Sequence, residues 1–362
     1  MDARVNSVDP FPGGRGTDRD MTSPILVIPY TWIGDFVRGH SVVQLLKTRW
    51  PDRPVDLVAT PLTAPLADYM PGVRRAIVAE IPHGRLALGV QGRLICQLRA
   101  ERYGTALVMS RKWKAALAPF LAGIPERIGF VGEARFLLLT DARRGEKALP
   151  RMVDRCAALA LPRSAPLPDP LPAPRLTVPA AEVEAWRARR GLSPARPVAA
   201  LAPGAVGPSK RWPVDRYAAL ATALARDGWT VWILGGPAET PLAAGIVMAA
   251  GEAAQDLTGP DLRDAILALK AADLAISNDS GLLHVAAALG TPTIGIFGPT
   301  SAWHWAPLNP LAATIAAENP PPCRPCHKPV CALGHHLCMR EISPAQVLAA
   351  LRATATPARE TV

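Results

Sequence analysis

The sequence predicts an α/β protein of two Rossmann-like, doubly wound domains, and three observations carry that prediction. Residues 25–46 read as a buried strand, a glycine-containing turn and a helix; residues 198–297 repeat the alternation; and residues 161–180 hold seven prolines. Strands that alternate with helices require a parallel sheet covered on both faces, with ligands at the carboxyl ends of the strands. The proline-rich stretch lacks the N–H donors of a helix or central strand, so it is the interdomain linker. A chain of 362 residues is long enough for each domain to bury its own core.

The elements follow in order. Ile25-Leu-Val-Ile28 is a short strand, Pro29 to Asp35 its turn, and the next helix presents Val42, Leu45 and Leu46. Val55–Ala59 and Thr105–Met109 are expected as further parallel strands. Beyond the linker come strand Val198–Leu201, helix Tyr217–Arg226, strand Thr230–Leu234 and a helix around Pro241–Ala250. Strand Leu274–Ile276, helix Leu282–Leu289 and strand Thr293–Phe297 complete this unit, and Ser343-Pro-Ala-Gln346 opens an amphipathic helix through Val347, Leu348 and Leu351. The expected division is therefore a disordered extension over 1–20, with Met21 an alternative start, a domain over 21–160, the linker over 161–180, a domain over 181–342, and a terminal helix and tail over 343–362.

Charge narrows the partners. The formal net charge is +10, with 24 basic and 16 acidic side chains up to residue 170 but 16 and 14 beyond it. An anionic partner is expected to meet the first half, although solvated surface arginines give the same count. No run of about 18 apolar residues offers a membrane span, and Met1 to Asp20 lacks the apolar stretch of a secretory signal. The expected location is the cytoplasm, at most resting on the inner membrane. Aromatics are only 5% and do not interleave with the basic residues, which disfavours nucleic acid. No Gly-x-Gly-x-x-Gly follows a strand, which disfavours a dinucleotide oxidoreductase.

The segment Ser277-Asn-Asp-Ser-Gly-Leu-Leu-His284 lies between an apolar strand and an Ala-rich helix. Unpaired backbone N–H groups at such a helix start favour phosphate, so a nucleotide diphosphate is expected there. Four further segments accompany it: Thr31-Trp-Ile-Gly-Asp35; Arg111 to Pro125 with Arg127-Ile-Gly129; Pro203-Gly-Ala205 followed by Lys210-Arg-Trp-Pro213; and Phe297-Gly-Pro-Thr300. Together, in this order and over most of the chain, they resemble the ADP-heptose:lipopolysaccharide heptosyltransferases of glycosyltransferase family nine, nearest the branch that acts second in the inner-core pathway. That resemblance implies the GT-B fold, an inverting displacement at the anomeric carbon, and a final helix that crosses back toward the N-terminal domain.

A sugar hydroxyl attacks poorly unless a carboxylate takes its proton, and Asp35 at the first strand–helix turn is the expected general base. The residue pattern also allows Asp35 to cap the helix beginning near Phe36. The leaving diphosphate needs fixed positive charge. Lys210, with the helix start at Ser280 and Gly281, supplies it without a catalytic metal; the only Asp-x-Asp, Asp18-Arg-Asp20, lies in the extension. Arg211 reads as a surface charge. The resemblance places Asp279 near the donor, whereas the pattern alone also allows a cap. His284 either contacts phosphate or is a hydrogen-bonded core histidine. Gly204 belongs to the donor loop, Glu239 is assigned to the ribose, and Thr258 with Gly259 to the adenine slot. Arg111, Lys112, Lys114, Arg127 and Arg135 are expected to bind the anionic acceptor, and Ala115–Leu121 is either core or a membrane-resting surface.

Cys96 and Cys156 read as isolated core thiols. Cys323, Cys326, Cys331 and Cys338 fall within 16 residues, a spacing that favours a structural zinc or iron site over disulfides in a chain without an export signal. His327, His335 and His336 are substitute ligands, and the resemblance implies a structural role for this knuckle. The functional expectation is transfer of L-glycero-D-manno-heptose from ADP-heptose to the lipopolysaccharide inner core. The alternatives are a heptosyltransferase with a protein acceptor and, in another class, a basic metal-knuckle nucleic-acid-binding protein.

Overall fold

A computed structural model describes residues 22–80, 87–163, 165–192 and 195–355; the expected extension over 1–20 lies outside the described residues. The contacts divide the chain into two units. One comprises Met1–Pro29, Ser41–Val58 and Gly72–Leu171, the other Tyr30–His40, Ala59–Pro71 and Pro172–Val362. The segments 30–40 and 59–71 thus leave the N-terminal unit, which the expected bounds of 21–160 did not anticipate.

The first unit holds β1 (Ile25–Ile28), β2 (Val55–Ala59), β3 (Val73–Val78), β4 (Thr105–Val108), β5 (Glu126–Phe130) and β6 (Asp141–Arg143), in the order β3-β2-β1-β4-β5-β6. β1 pairs in parallel with both β2 and β4. All four residues of β1 and of β4 are buried, as central strands covered on both faces must be. The edge strand β3 escaped the sequence reading because it carries Arg74 and Arg75. Arg74 donates to the buried Asp56 at 2.6 Å, and Arg75 pairs with Glu101 at 2.6 Å; charge on an edge strand also discourages pairing with other chains.

The second unit repeats the topology with β7 (Val198–Ala202), β8 (Thr230–Ile233), β9 (Ala254–Asp256), β10 (Leu274–Asn278), β11 (Thr293–Ile296) and β12 (Ala312–Ile315), in the order β12-β11-β10-β7-β8-β9. β7 pairs in parallel with β8 and β10. Strand order therefore reverses between β7 and β10, and the crevice beyond their carboxyl ends is where an open α/β sheet binds ligands. Helix Val214–Arg226 buries Tyr217, Leu220, Ala221 and Leu224, the i, i+3, i+4, i+7 stripe of an amphipathic helix. Trp212 packs edge-on against Tyr217 with ring centroids 4.9 Å apart.

Residues 161–163 and 165–179 contain no helix or strand, as the prolines require. Residues 172–179 are packed into the second unit: the Arg175 N–H donates to His40 Nδ1 at 2.9 Å, and the Thr177 N–H to the Tyr69 carbonyl at 2.8 Å. The terminal helix Pro344–Ala355 buries Val347 in the second unit's core, with Leu348 and Leu351 packed against it. Its apolar stripe is thus used on the second unit's core.

Candidate active site

A cavity of about 750 Å³ opens at the carboxyl ends of the second unit's central strands, and the second unit supplies all of its lining. The loop after β7 contributes Gly204 and Lys210, the loop after β8 Gly235 and Glu239, and the turn after β10 Asp279, Ser280 and Gly281. Asp35 and Arg38 enter from helix Ile33–Arg38, and His284 from helix Gly281–Ala288.

Two glycines bring those helices together. A Cβ on Gly281 would lie 2.7 Å from the Ile33 Cβ, and one on Gly34 would lie 2.7 Å from His284 Cδ2. Any larger residue at either position forces the helices apart, and with them Asp35 and the N–H groups at Gly281. Asp35 occupies the third position of its helix; Trp32 is the N-cap residue, and no side chain caps it. The capping alternative for Asp35 is thereby excluded, and its carboxylate is paired with Arg38 instead.

Asp279 is not a cap either. Its Oδ2 accepts from Lys210 Nζ at 2.7 Å and from Thr300 Oγ1 at 2.7 Å, so a carboxylate fixed at the end of β10 sets the direction of the lysine. Asn278 braces the same corner: its Oδ1 accepts from the Trp212 N–H and the Tyr217 hydroxyl, and its Nδ2 donates to the Pro203 carbonyl at 2.7 Å. The turn Pro208–Lys210 is held from the far side by the cysteine-bearing loop. The Ser209 N–H donates to the Pro329 carbonyl, and His336 Nε2 donates to the Ser209 carbonyl at 2.7 Å.

His284 is buried, and its Nε2 faces Arg38 Nη1 at 3.0 Å. An arginine has only donors, so Nε2 accepts and the ring proton sits on Nδ1. Burial, then the nearby cations Arg38 and Lys210, push the imidazolium pKa well below its ordinary value. The histidine is therefore neutral and hydrogen-bonded, and it also lines the cavity. Glu239 approaches the backbone closely: a Cβ on Gly204 would fall 2.6 Å from Glu239 Cγ, and Glu239 Oε2 accepts the Gly236 N–H at 2.9 Å. Gly259 lines the cavity and Thr258 does not; the Thr258 hydroxyl is spent on Thr240 Oγ1 at 2.8 Å. Arg211 also lines the cavity and donates to the Ala205 carbonyl at 2.9 Å, so it is more than a surface charge.

The five basic residues assigned to an acceptor all lie in the first unit, and they differ in kind. Arg111 is half exposed and pairs with Glu146 at 3.1 Å; Lys112 pairs with Glu133 at 2.6 Å. Lys114 lies in the first turn of the apolar helix Trp113–Leu121. Arg127 turns inward, donating to the Leu138 carbonyl at 2.8 Å. Arg135 corrects the expectation: it is 1% exposed, and its guanidinium donates to the carbonyls of Phe130, Ser110, Lys112 and Val108. Those bonds leave it a strut for the ends of β4 and β5 and the loop after β4 rather than a ligand for an acceptor.

All four clustered cysteines are free thiols. Burial, with help from the other three, pushes the Cys338 thiol up to about 11, whereas backbone N–H groups led by that of His336 lower the Cys331 thiol. The donor set suits a thiophilic ion, but among the described residues no group of three or more histidine, cysteine, aspartate or glutamate side chains is disposed to hold one. The sequence reading missed Arg38, Asn278 and Thr300. Arg38 lies three residues beyond Asp35 on one helical face, which is the one signal that pointed to it.

Two Rossmann-like sheets, a helix start open to phosphate and a lysine aimed by an aspartate define a nucleotide-sugar glycosyltransferase. The comparisons agree. Residues 91–336 match the model of glycosyltransferase family 9 (heptosyltransferase), and the chain belongs to that family. It is 38% identical to lipopolysaccharide heptosyltransferase 2 of Salmonella typhimurium strain LT2 over 337 residues, 90% of this chain and 96% of the relative. It superposes on the solved structure of Escherichia coli ADP-heptose lipopolysaccharide heptosyltransferase II with a TM-score of 0.81 and 34% identity, over 91% of this chain and 98% of the other. The E. coli heptosyltransferase WaaC solved with ADP-2-deoxy-2-fluoro heptose shares the fold at a TM-score of 0.68 and 18% identity, over 92% of this chain and 100% of the other. The nucleic-acid alternative is not supported. Among the described residues no helix is long and apolar enough to cross a membrane.

Proposed function

We propose that the protein transfers L-glycero-D-manno-heptose from ADP-heptose to the inner core of lipopolysaccharide with inversion at the anomeric carbon. The observation that carries this reading is the convergence of Asp35, Lys210, Asp279 and the helix start at Ser280 and Gly281 on one cavity. Asp35 takes the proton of the acceptor hydroxyl as its oxygen attacks the anomeric carbon, and ADP departs from the opposite face. Lys210, aimed by Asp279, and the N–H groups opening helix Gly281–Ala288 stabilise the charge that develops on the diphosphate. Glu239, beside Gly204, is assigned to the ribose hydroxyls and Gly259 to the adenine edge. His284, being neutral, stiffens the site and contributes no charge to the phosphates.

The decisive assay is transfer from ADP-heptose to purified inner core lacking this heptose. Wild-type activity with a fall of about a hundredfold or more in Asp35→Ala supports the reading; equal activity in the two removes Asp35 from the mechanism.

Two finer readings accompany it. The acceptor is a lipid-linked glycan, and the first unit exposes Phe136 and Leu137 beside Phe120, Leu121 and Trp113, with Arg111 and Lys112 nearby. This surface is suited to peripheral contact with an anionic membrane. Flotation with vesicles containing phosphatidylglycerol, lost in Leu137→Asp, tests that contact. Cys323, Cys326, Cys331 and Cys338 are read as ligands of a structural zinc or iron ion that would draw the four sulfurs together; about one ion per chain, lost in Cys326→Ser, is the expected result of elemental analysis.

A further inference from the structure

The charge on Arg38 is the least explained feature of the cavity wall. Its side chain is only 9% exposed, and a guanidinium stays charged under all ordinary conditions. A charge so nearly buried is stable only when paired and hydrogen-bonded. Nη2 donates to Asp35 Oδ1, and Nη1 is shared between His284 Nε2 at 3.0 Å and the Trp305 carbonyl at 3.2 Å. The guanidinium also lies over the Trp305 ring, 5.1 Å from its centroid, while Nε has no partner among the described residues.

We propose that Arg38 is a positioning residue for Asp35: it binds one carboxylate oxygen and thereby fixes the other, Oδ2, toward the cavity, where the acceptor hydroxyl is deprotonated. The inference rests on the reading of Asp35 as the general base. A carboxylate on a short helix rotates about two side-chain torsions, and a proton acceptor is effective only when its lone pair is held in line with the hydroxyl. Arg38 is itself held at its other end by His284 and by the backbone of Trp305, so the torsions of Asp35 are set from fixed points in the second unit. The neutral state of His284 is part of the arrangement, because a protonated ring would present an N–H to an N–H and break the contact that anchors Arg38. The alternative for such a cation is direct attraction of the donor's phosphates, and the two roles separate experimentally.

The test compares Arg38→Met, Arg38→Lys, Asp35→Ala and the double variant Asp35→Ala/Arg38→Met, in the heptose-transfer assay and in ADP binding by calorimetry. An ADP-induced rise in melting temperature verifies that each variant is folded. The expected result for Arg38→Met is a fall in kcat of about a hundredfold, the scale of a roughly 1 Å misplacement, with KM for ADP-heptose and affinity for ADP unchanged. Arg38→Lys should recover part of the loss. In Arg38→Ala, guanidinium at tens of millimolar should restore activity, an arm that also serves if Arg38→Met does not fold. In the Asp35→Ala background, removing Arg38 should cost nothing further. A weakened affinity for ADP in Arg38→Met, or a second loss multiplying that of Asp35→Ala, would show that Arg38 serves the donor and overturn the proposal. So would wild-type kcat in Arg38→Met. Full activity in Asp35→Ala would instead overturn the general-base reading and, with it, the inference built upon it.

Discussion

Replacing Gly281 by alanine tests whether the contact between helices Ile33–Arg38 and Gly281–Ala288 sets the catalytic geometry. The added Cβ would meet the Ile33 Cβ at 2.7 Å and its Cγ2 at 2.8 Å, where ordinary contact begins at 3.4 Å. The obstacle is the root of a β-branched side chain, which has no rotamer that clears it. Helix Ile33–Arg38 must therefore retreat by about 0.7 Å or more, the difference between 3.4 Å and 2.7 Å, and Asp35 moves with it. Overpacking of this kind costs about 1–3 kcal/mol, which for a unit of this size lowers the melting temperature by about 2–12 °C. A reactive group displaced by up to about 1 Å loses on the order of a hundredfold in rate. The assay is kcat for heptose transfer beside the melting temperature. The double variant Gly281→Ala/Ile33→Gly, which removes both obstructing atoms, should recover most of the rate despite about 1 kcal/mol of lost helix propensity. Wild-type kcat in Gly281→Ala, or a double variant no faster than the single one, would refute the claim that this contact places the base.

Three further predictions follow from the same structure. Asp279→Asn keeps the shape but loses the charge that aims Lys210, so kcat should fall by about ten- to a hundredfold with the melting temperature lowered by only a few degrees; an unchanged kcat would show that Lys210 needs no aiming. Arg135→Met strips donors from the carbonyls of Phe130 and Ser110, and urea unfolding should show a loss of about 2–4 kcal/mol with KM for the acceptor unchanged in the folded fraction. The histidines set the third. Burial foremost lowers the pKa of both His40 and His284, so the unfolded chain binds protons more readily, and their contribution to stability is full above about pH 6.5 and lost as pH falls below it. Unfolding free energy should drop between pH 7.5 and 5.5, approaching about 1.4 kcal/mol per pH unit for each histidine at the lower end, and more gently in His284→Gln. A flat profile would mean that these rings are not held neutral.

What the sequence made legible was local chemistry. An apolar strand, a small polar turn and an Ala-rich helix identify the helix start at Ser280 and Gly281, which the structure places on the cavity, because the N–H groups at a helix start are a property of consecutive residues. The parallel character of each sheet follows from the alternation, whereas the order of its strands does not. Contacts between distant segments were not legible. Arg111 and Arg135 look alike in a basic stretch, yet one pairs with Glu146 at the surface and the other is buried under four carbonyls contributed by three loops or strand ends. Asp35 was expected as a base with a cap as the alternative, until its place at the third helical position, with Arg38 on its carboxylate, removed the cap.

The two compact units depart from the expected bounds for a similar reason. Nothing in Tyr30 to His40 announces that this segment leaves the sheet it follows, because the cause lies in Gly34 and Gly281, some 247 residues apart in sequence, each lacking the one carbon that would keep the helices separate. The missing carbons bring Asp35, the Arg38 paired with it and the helix start at Gly281 together within a single unit. The relation between Asp35 and the proposed donor site is consequently fixed by packing within that unit. Substitutions that loosen this packing are expected to act on kcat before they act on the affinity for ADP.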